Sequence, residues 1–190
     1  AHLACELCGA LGAVHELRDA EGAPLRVVHR DVTPSNVYLS LTGDVKLGDF
    51  GIAWTAAERR PASSGLKGKY GYLAPEQVSG ESFDFRADLF SLAVIASELL
   101  LAAPLFDGAG QLAVLLAIRD ARIDKLRSLE DTVPAPLLAV LERALSRSPG
   151  DRYASATELA GALRPHAAAP AVARAEIAAL VGWARDTGSL

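Results

Sequence analysis

His29-Arg30-Asp31-Val32-Thr33-Pro34-Ser35-Asn36, followed at once by the apolar run Val37-Tyr38-Leu39, is the stretch from which the rest of the chain can be read. It sets a carboxylate and an amide five residues apart, on a Pro-containing loop that leads into a strand, so both can point into one cleft. Asp49-Phe50-Gly51 begins eighteen residues after Asp31, and Ala74-Pro75-Glu76 follows further on. Taken singly, Asp31 and Asn36 read as turn residues and Asp49 as a helix cap. Taken as an ordered set, they call for one explanation.

Outward from that loop, residues 2 to about 18 carry Leu3, Leu7, Leu11, Val14 and Leu17 at helical spacing. Asp19 to Pro24 is a turn-like break, and Leu25-Arg26-Val27-Val28 is a short extended segment that delivers the His29 loop. Val37–Ser40 and Val45–Leu47 flank Leu41-Thr42-Gly43-Asp44, a hairpin signal that ties Asp49 covalently close to Asn36. From Ile52 to Leu73 the chain turns polar, small and basic, the composition of a loop. Helices are expected over Phe83–Leu101, from Gln111 to about Ile118, over Pro136–Ser146 and over Ser155–Leu163. Residues 1–165 form one domain and 166–170 an Ala/Pro linker. Within 171–190, Ala171–Arg185 reads as an appended amphipathic helix with Val172, Ile177, Leu180, Val181 and Ala184 on one side.

A length of 190 residues, 51% hydrophobic and 22% charged, suits one globular domain able to bury a core. A net charge of −4 with the signs mixed gives no reason to expect nucleic acid as a partner. The apolar run Leu92–Phe106 is interrupted by Glu98 and Pro104, so it reads as a buried helix and no membrane segment is expected. No basic start or cleavage site marks a signal peptide. Cys5 and Cys8 have C-x-x-C spacing, but no second Cys pair or nearby His pair completes a zinc site. Read as small core hydrophobes, they suit a reducing, cytoplasmic compartment.

The three ordered signatures resemble the catalytic loop, the metal-binding turn and the end of the activation segment of protein kinases, over nearly the whole chain. The resemblance is to the eukaryotic-like (Hanks-type) Ser/Thr protein kinases of bacterial type. It implies a mainly α fold with a small β-hairpin, equivalent to the large, C-terminal lobe. It also implies ATP and Mg²⁺ as cofactors and a Ser or Thr of a protein as acceptor. Asp31 would then orient the acceptor hydroxyl and take its proton, with Asn36 and Asp49 offering oxygens to Mg²⁺. Tyr38 would lie under the adenine. His29 and Phe50, beside Gly51, would pack inside the lobe, and Asp88 would hold the loop backbone from below. Arg30 is either a solvated charge or a pocket for phosphate on the activation loop. Ser63 and Ser64 are the candidate acceptors of that phosphate, with Thr55 a weaker one, or are simply loop solvation. Glu76 would pair with Arg152 of Pro149-Gly150-Asp151-Arg152, a structural tie.

The sequence departs from this family in two ways. Only 28 residues precede His29 and they read as a helix plus a strand, so no glycine loop, strand lysine or helix glutamate of a small lobe can be placed. The N-terminal lobe is thus an expected missing partner, and the chain alone should bind nucleotide weakly. In addition, Thr33 stands where the family has Lys, and Lys69 where it has Thr. A compensated exchange would keep one ammonium and one hydroxyl beside Asp31; a decayed site would not. Against the kinase reading stands a non-catalytic interaction module that is a remnant of one. A small-molecule kinase of the aminoglycoside phosphotransferase kind is disfavoured by the Ala-Pro-Glu segment.

Overall fold

The computed structural model describes residues 1–49 and 70–188. Within this span lie eight α-helices and one hairpin: α1 (His2–His15), β1 (Val37–Leu39), β2 (Val45–Leu47), α2 (Pro75–Val78), α3 (Arg86–Leu101), α4 (Gln111–Arg119), α5 (Asp124–Arg127), α6 (Ala135–Ala144), α7 (Ala156–Leu163) and α8 (Pro170–Asp186). The fold is mainly α with a small antiparallel hairpin, like the large lobe of a kinase.

The centre is α3, in which ten of sixteen residues are buried. A helix apolar on every side is stable only when other elements cover it on every side. Here α1, α5 and α6 pack on it, together with the segment before α2. Leu89, Phe90 and Leu92 are fully enclosed, each contributing about 1.5–3 kcal/mol by leaving water. Phe90 also stacks on Phe106, which returns the chain to the core after Ala102 ends α3 in the left-handed region. The segment Tyr70–Ala74 is pinned to α3 by polar contacts: Ser91 donates to the Tyr72 carbonyl at 2.6 Å, and the Tyr72 hydroxyl donates to Glu98 at 2.7 Å. Burial, followed by that carboxylate, raises the Tyr72 pKa well above the usual phenol value.

Leu7, Cys8 and Leu11 place the apolar face of α1 between α3 and α7. Cys8 is buried and Cys5 partly so, so both thiols lie within a helix packing face. Burial pushes the Cys8 thiol up to about 12. The helix stops at His15 rather than near 18, and Leu17 is left exposed. A backbone bridge from Arg18 to Pro24 takes over, with the Asp19 carboxylate receiving the Glu21 and Ala23 N–H groups in a tight turn. Residues 25–28 form no ladder, contrary to the expected extended segment; Arg26 lies at φ +51 and Leu25 is exposed. Among the described residues no partner strand lies alongside, and local apolar content alone does not make a strand.

The hairpin pairs Val37 with Leu47, Tyr38 with Lys46 and Leu39 with Val45. Its alternation puts Leu47 in the core, with β2 against α1, while Tyr38 and Lys46 face outward. The appended helix begins at Pro170, a residue suited to the first helical turn. Of the side expected to be apolar, Ile177, Val181 and Ala184 are half-buried, but Val172 and Leu180 are exposed, as is Trp183. Ala173 is the buried residue of this helix. No single described helix is long and apolar enough to cross a membrane.

Candidate active site

The His29–Asn36 loop is held from beneath. Both oxygens of buried Asp88, at the start of α3, receive backbone N–H groups from it: His29 N at 2.8 Å and Arg30 N at 2.9 Å. Sequence reasoning missed a third partner, His15, whose Nε2 lies 2.9 Å from Asp88 Oδ2. A carboxylate only accepts, so this bond puts the proton on Nε2. A histidine closing an apolar helix gives no sign in sequence of a carboxylate 73 residues away.

His29 is 1% exposed and joins two loops. Its Nε2–H donates to the Gly48 carbonyl at 3.1 Å, while Nδ1 receives a long contact of 3.4 Å from the Asp31 N–H. Its expected partner Phe50 lies outside the described residues, as do Gly51, Thr55, Ser63, Ser64 and Lys69. Arg30 is exposed at φ +70, with its guanidinium 5.6 Å from the centre of the Phe83 ring.

Asp31 and Asn36 are brought together directly. The buried Asn36 amide donates to the Asp31 backbone carbonyl at 2.7 Å and to its carboxylate at 2.9 Å. These bonds use both amide hydrogens on the loop and leave the amide oxygen as the remaining acceptor. Asn36 is then tied to the second loop, because its backbone carbonyl accepts from Gly48 N at 2.9 Å. Asp49, next in the chain, is exposed at φ +52. Two non-glycine residues in the left-handed region, Arg30 and Asp49, thus flank the site, a conformation retained only where the surroundings enforce it. The Tyr38 hydroxyl donates to Asp49 Oδ2 at 3.3 Å, and its ring lies so close over Gly48 that a Cβ there would meet it at 2.6 Å. The Thr33 hydroxyl is within 2.9 Å of Ser35 Oγ and the residue is buried, so its local partner is in its own loop.

Further from the chemistry, Glu76 and Arg152 form a bidentate pair with both contacts at 2.7 Å. The arginine also donates to the carbonyls of Ser146, Arg86 and Arg147, and its guanidinium lies 4.9 Å from the Phe90 ring centre. The end of the Ala-Pro-Glu segment is thereby fastened to the loop before α7.

An Asp–Asn pair on a loop suspended from a buried carboxylate, joined to a hairpin that ends in a second Asp, defines a protein kinase large lobe. The chain belongs to the protein kinase family, whose domain matches residues 2–162. Among its relatives is the tyrosine-protein kinase MasK of Myxococcus xanthus, 43% identical over 150 residues, which are 78% of this chain and 23% of that protein. The serine/threonine-protein kinase PknL of Mycobacterium tuberculosis is 38% identical over 131 residues, 68% of this chain and 33% of PknL. The serine/threonine-protein kinase PknB of Mycobacterium leprae is 35% identical over 149 residues, 76% of this chain and 24% of PknB. The chain therefore spans only about a quarter to a third of the length of these relatives.

Proposed function

We propose that this chain serves as the large lobe of a kinase that transfers the terminal phosphoryl group of ATP to serine or threonine of a protein substrate. The supporting observation is the Asp31–Asn36 pair, locked to the Gly48–Asp49 turn through the Asn36 carbonyl. Asn36 and Asp49 offer two oxygen donors, a set that fits a hard dication completing its shell with phosphate oxygens and water. Bound Mg²⁺–ATP supplies the phosphoryl group and neutralises its charge. Asp31 orients the acceptor hydroxyl and takes its proton, while the amide of Asn36 fixes the rotamer of that carboxylate. The ring of Tyr38 provides a floor for the base. Lys69, which lies outside the described residues, and Thr33 are assigned the ammonium and the hydroxyl that the transfer uses. Its partners are an N-terminal lobe and the protein substrate, and its compartment is a reducing cytoplasm.

The name of the MasK relative keeps tyrosine open as the acceptor. The test is phosphate transfer by a two-lobed form in which this chain follows a kinase small lobe, with phosphoamino-acid analysis of the product. Phosphoserine or phosphothreonine, abolished by Asp31→Asn, is the expected result. Phosphotyrosine would replace the Ser/Thr reading, and transfer that survives Asp31→Asn would remove Asp31 from its role.

A further inference from the structure

The match to the kinase domain ends at residue 162, before α8, yet α8 is seated on the hairpin that presents the two candidate metal ligands. The contact is close. Gly43, at φ +79 in the turn between β1 and β2, would with a Cβ come within 2.0 Å of the Arg174 carbonyl oxygen. The turn backbone therefore lies directly against the helix backbone, a position only glycine can fill. Beside it the Arg174 guanidinium reaches Asp44 Oδ1.

Asp44 is the knot of this turn. Its second oxygen accepts the hydroxyls of Thr42 at 2.7 Å and Ser40 at 3.1 Å, and Ser40 Oγ in turn receives the Asp44 N–H at 2.9 Å. The strands on either side pair over only three residues before reaching Asn36 and Gly48–Asp49, which lie together at the open end of the hairpin. A hairpin this short has little stability of its own and takes its geometry from what packs on it.

We propose that Arg174 is a positioning residue for phosphoryl transfer: acting through Asp44, it clamps the β1–β2 turn to α8 and so fixes the register in which Asn36 and Asp49 are presented. This role rests on the kinase reading above. It makes a helix outside the kinase domain match part of the machinery that sets metal-ligand geometry. Displacement of α8 would then loosen the site from behind without touching Asp31.

The test compares Arg174→Ala with Arg174→Lys in two measurements. In the full chain, hydrogen exchange is followed at hairpin amides, including Ser40, which donates to Asp44, and Gly48, which donates to Asn36. Arg174→Ala should speed exchange there by about two- to fivefold, the scale of a solvent-exposed ion pair, with α3 amides unchanged and Arg174→Lys close to wild type. In the two-lobed form, the Mg²⁺ concentration giving half-maximal rate should rise by a similar factor, while the KM for protein substrate stays constant. Unchanged hairpin exchange would overturn the clamp. An active enzyme whose hairpin loosens but whose Mg²⁺ dependence stays fixed would overturn the positioning role alone. A wild type inert toward every acceptor would instead overturn the kinase reading, and the positioning role of Arg174 with it.

Discussion

Replacing Glu76 with Gln tests what holds the end of the activation segment. The change keeps the shape of the side chain but removes its charge, leaving the Arg152 guanidinium buried beside a neutral amide. The side chains are 3% and 0% exposed, respectively, so water cannot take over the lost interaction. Removing one partner of such a pair costs about 3–5 kcal/mol, because the remaining charge stays desolvated. Three backbone carbonyls continue to solvate Arg152, which places the expected loss near the lower end of that range. Set against a total of about 5–15 kcal/mol for a domain, it is a large fraction of the stability. At roughly 2–4 °C per kcal/mol for a chain of this size, the melting temperature should fall by at least about 6 °C. Urea unfolding and a thermal scan of the full chain measure both quantities. Arg127→Ala, which breaks the exposed pair with Glu142 at 2.9 Å, is the control and should cost less than about 1 kcal/mol. If Glu76→Gln costs no more than that control, the buried pair is not what fastens the segment.

Four further outcomes follow from the geometry. His15→Leu removes one of the hydrogen bonds to the buried Asp88 carboxylate and should cost about 1.5–3 kcal/mol in urea unfolding; an unchanged midpoint would remove His15 from the support of the loop. In the two-lobed form, Tyr38→Ala should weaken ATP binding, whereas Tyr38→Phe should spare ATP affinity and change only the Mg²⁺ dependence, since it deletes the hydroxyl bond to Asp49; equal effects of the two would reject the separate roles of ring and hydroxyl. With its thiol pushed up to about 12, Cys8 should resist alkylation by iodoacetamide at pH 8 in the folded chain and react on unfolding, and prompt labelling of native protein would argue for a reactive C-x-x-C pair. The Asp44 carboxyl is held below its usual value by the Thr42 and Ser40 hydroxyls and then by the positive charges of Arg174 and Lys46. Protection of the hairpin amides should therefore be complete above the ordinary carboxylate range and fall as acidification passes through the lowered value; protection that rises on acidification would contradict this sign.

The family and most of the helices were legible because they rest on local chemistry. The spacing of Asp31, Asn36 and Asp49 records a loop and hairpin whose residues are covalently near one another, and the continuous apolar content of α3 marks a buried helix without knowledge of its neighbours. Ser155 announced the start of α7 by a local rule, its hydroxyl accepting the Glu158 N–H at 3.0 Å. The short helices α2 and α5 were not anticipated, since four residues carry too little periodicity to read. Leu17, Leu25, Val172 and Leu180 are apolar yet exposed, because sequence pattern states what a residue would bury and not whether a partner surface is present.

What the sequence determined by itself was which groups could do chemistry and in what order they enter the site. How they are held is a matter of tertiary packing: the family resemblance implied the Asp88 support and the Glu76–Arg152 tie, whereas the His15 and Arg174 contacts showed only in the structure. Asp88 gathers His15, His29 and Arg30 from two distant segments, and Glu76 finds Arg152 across 76 residues. Arg174 reaches Asp44 across 130. Each of these contacts joins segments that only the packing of α1, α3 and α8 brings within hydrogen-bond distance. Short-range order follows from backbone and side-chain preferences over a few residues, whereas buried charges are positioned by the collapse of the whole core around them.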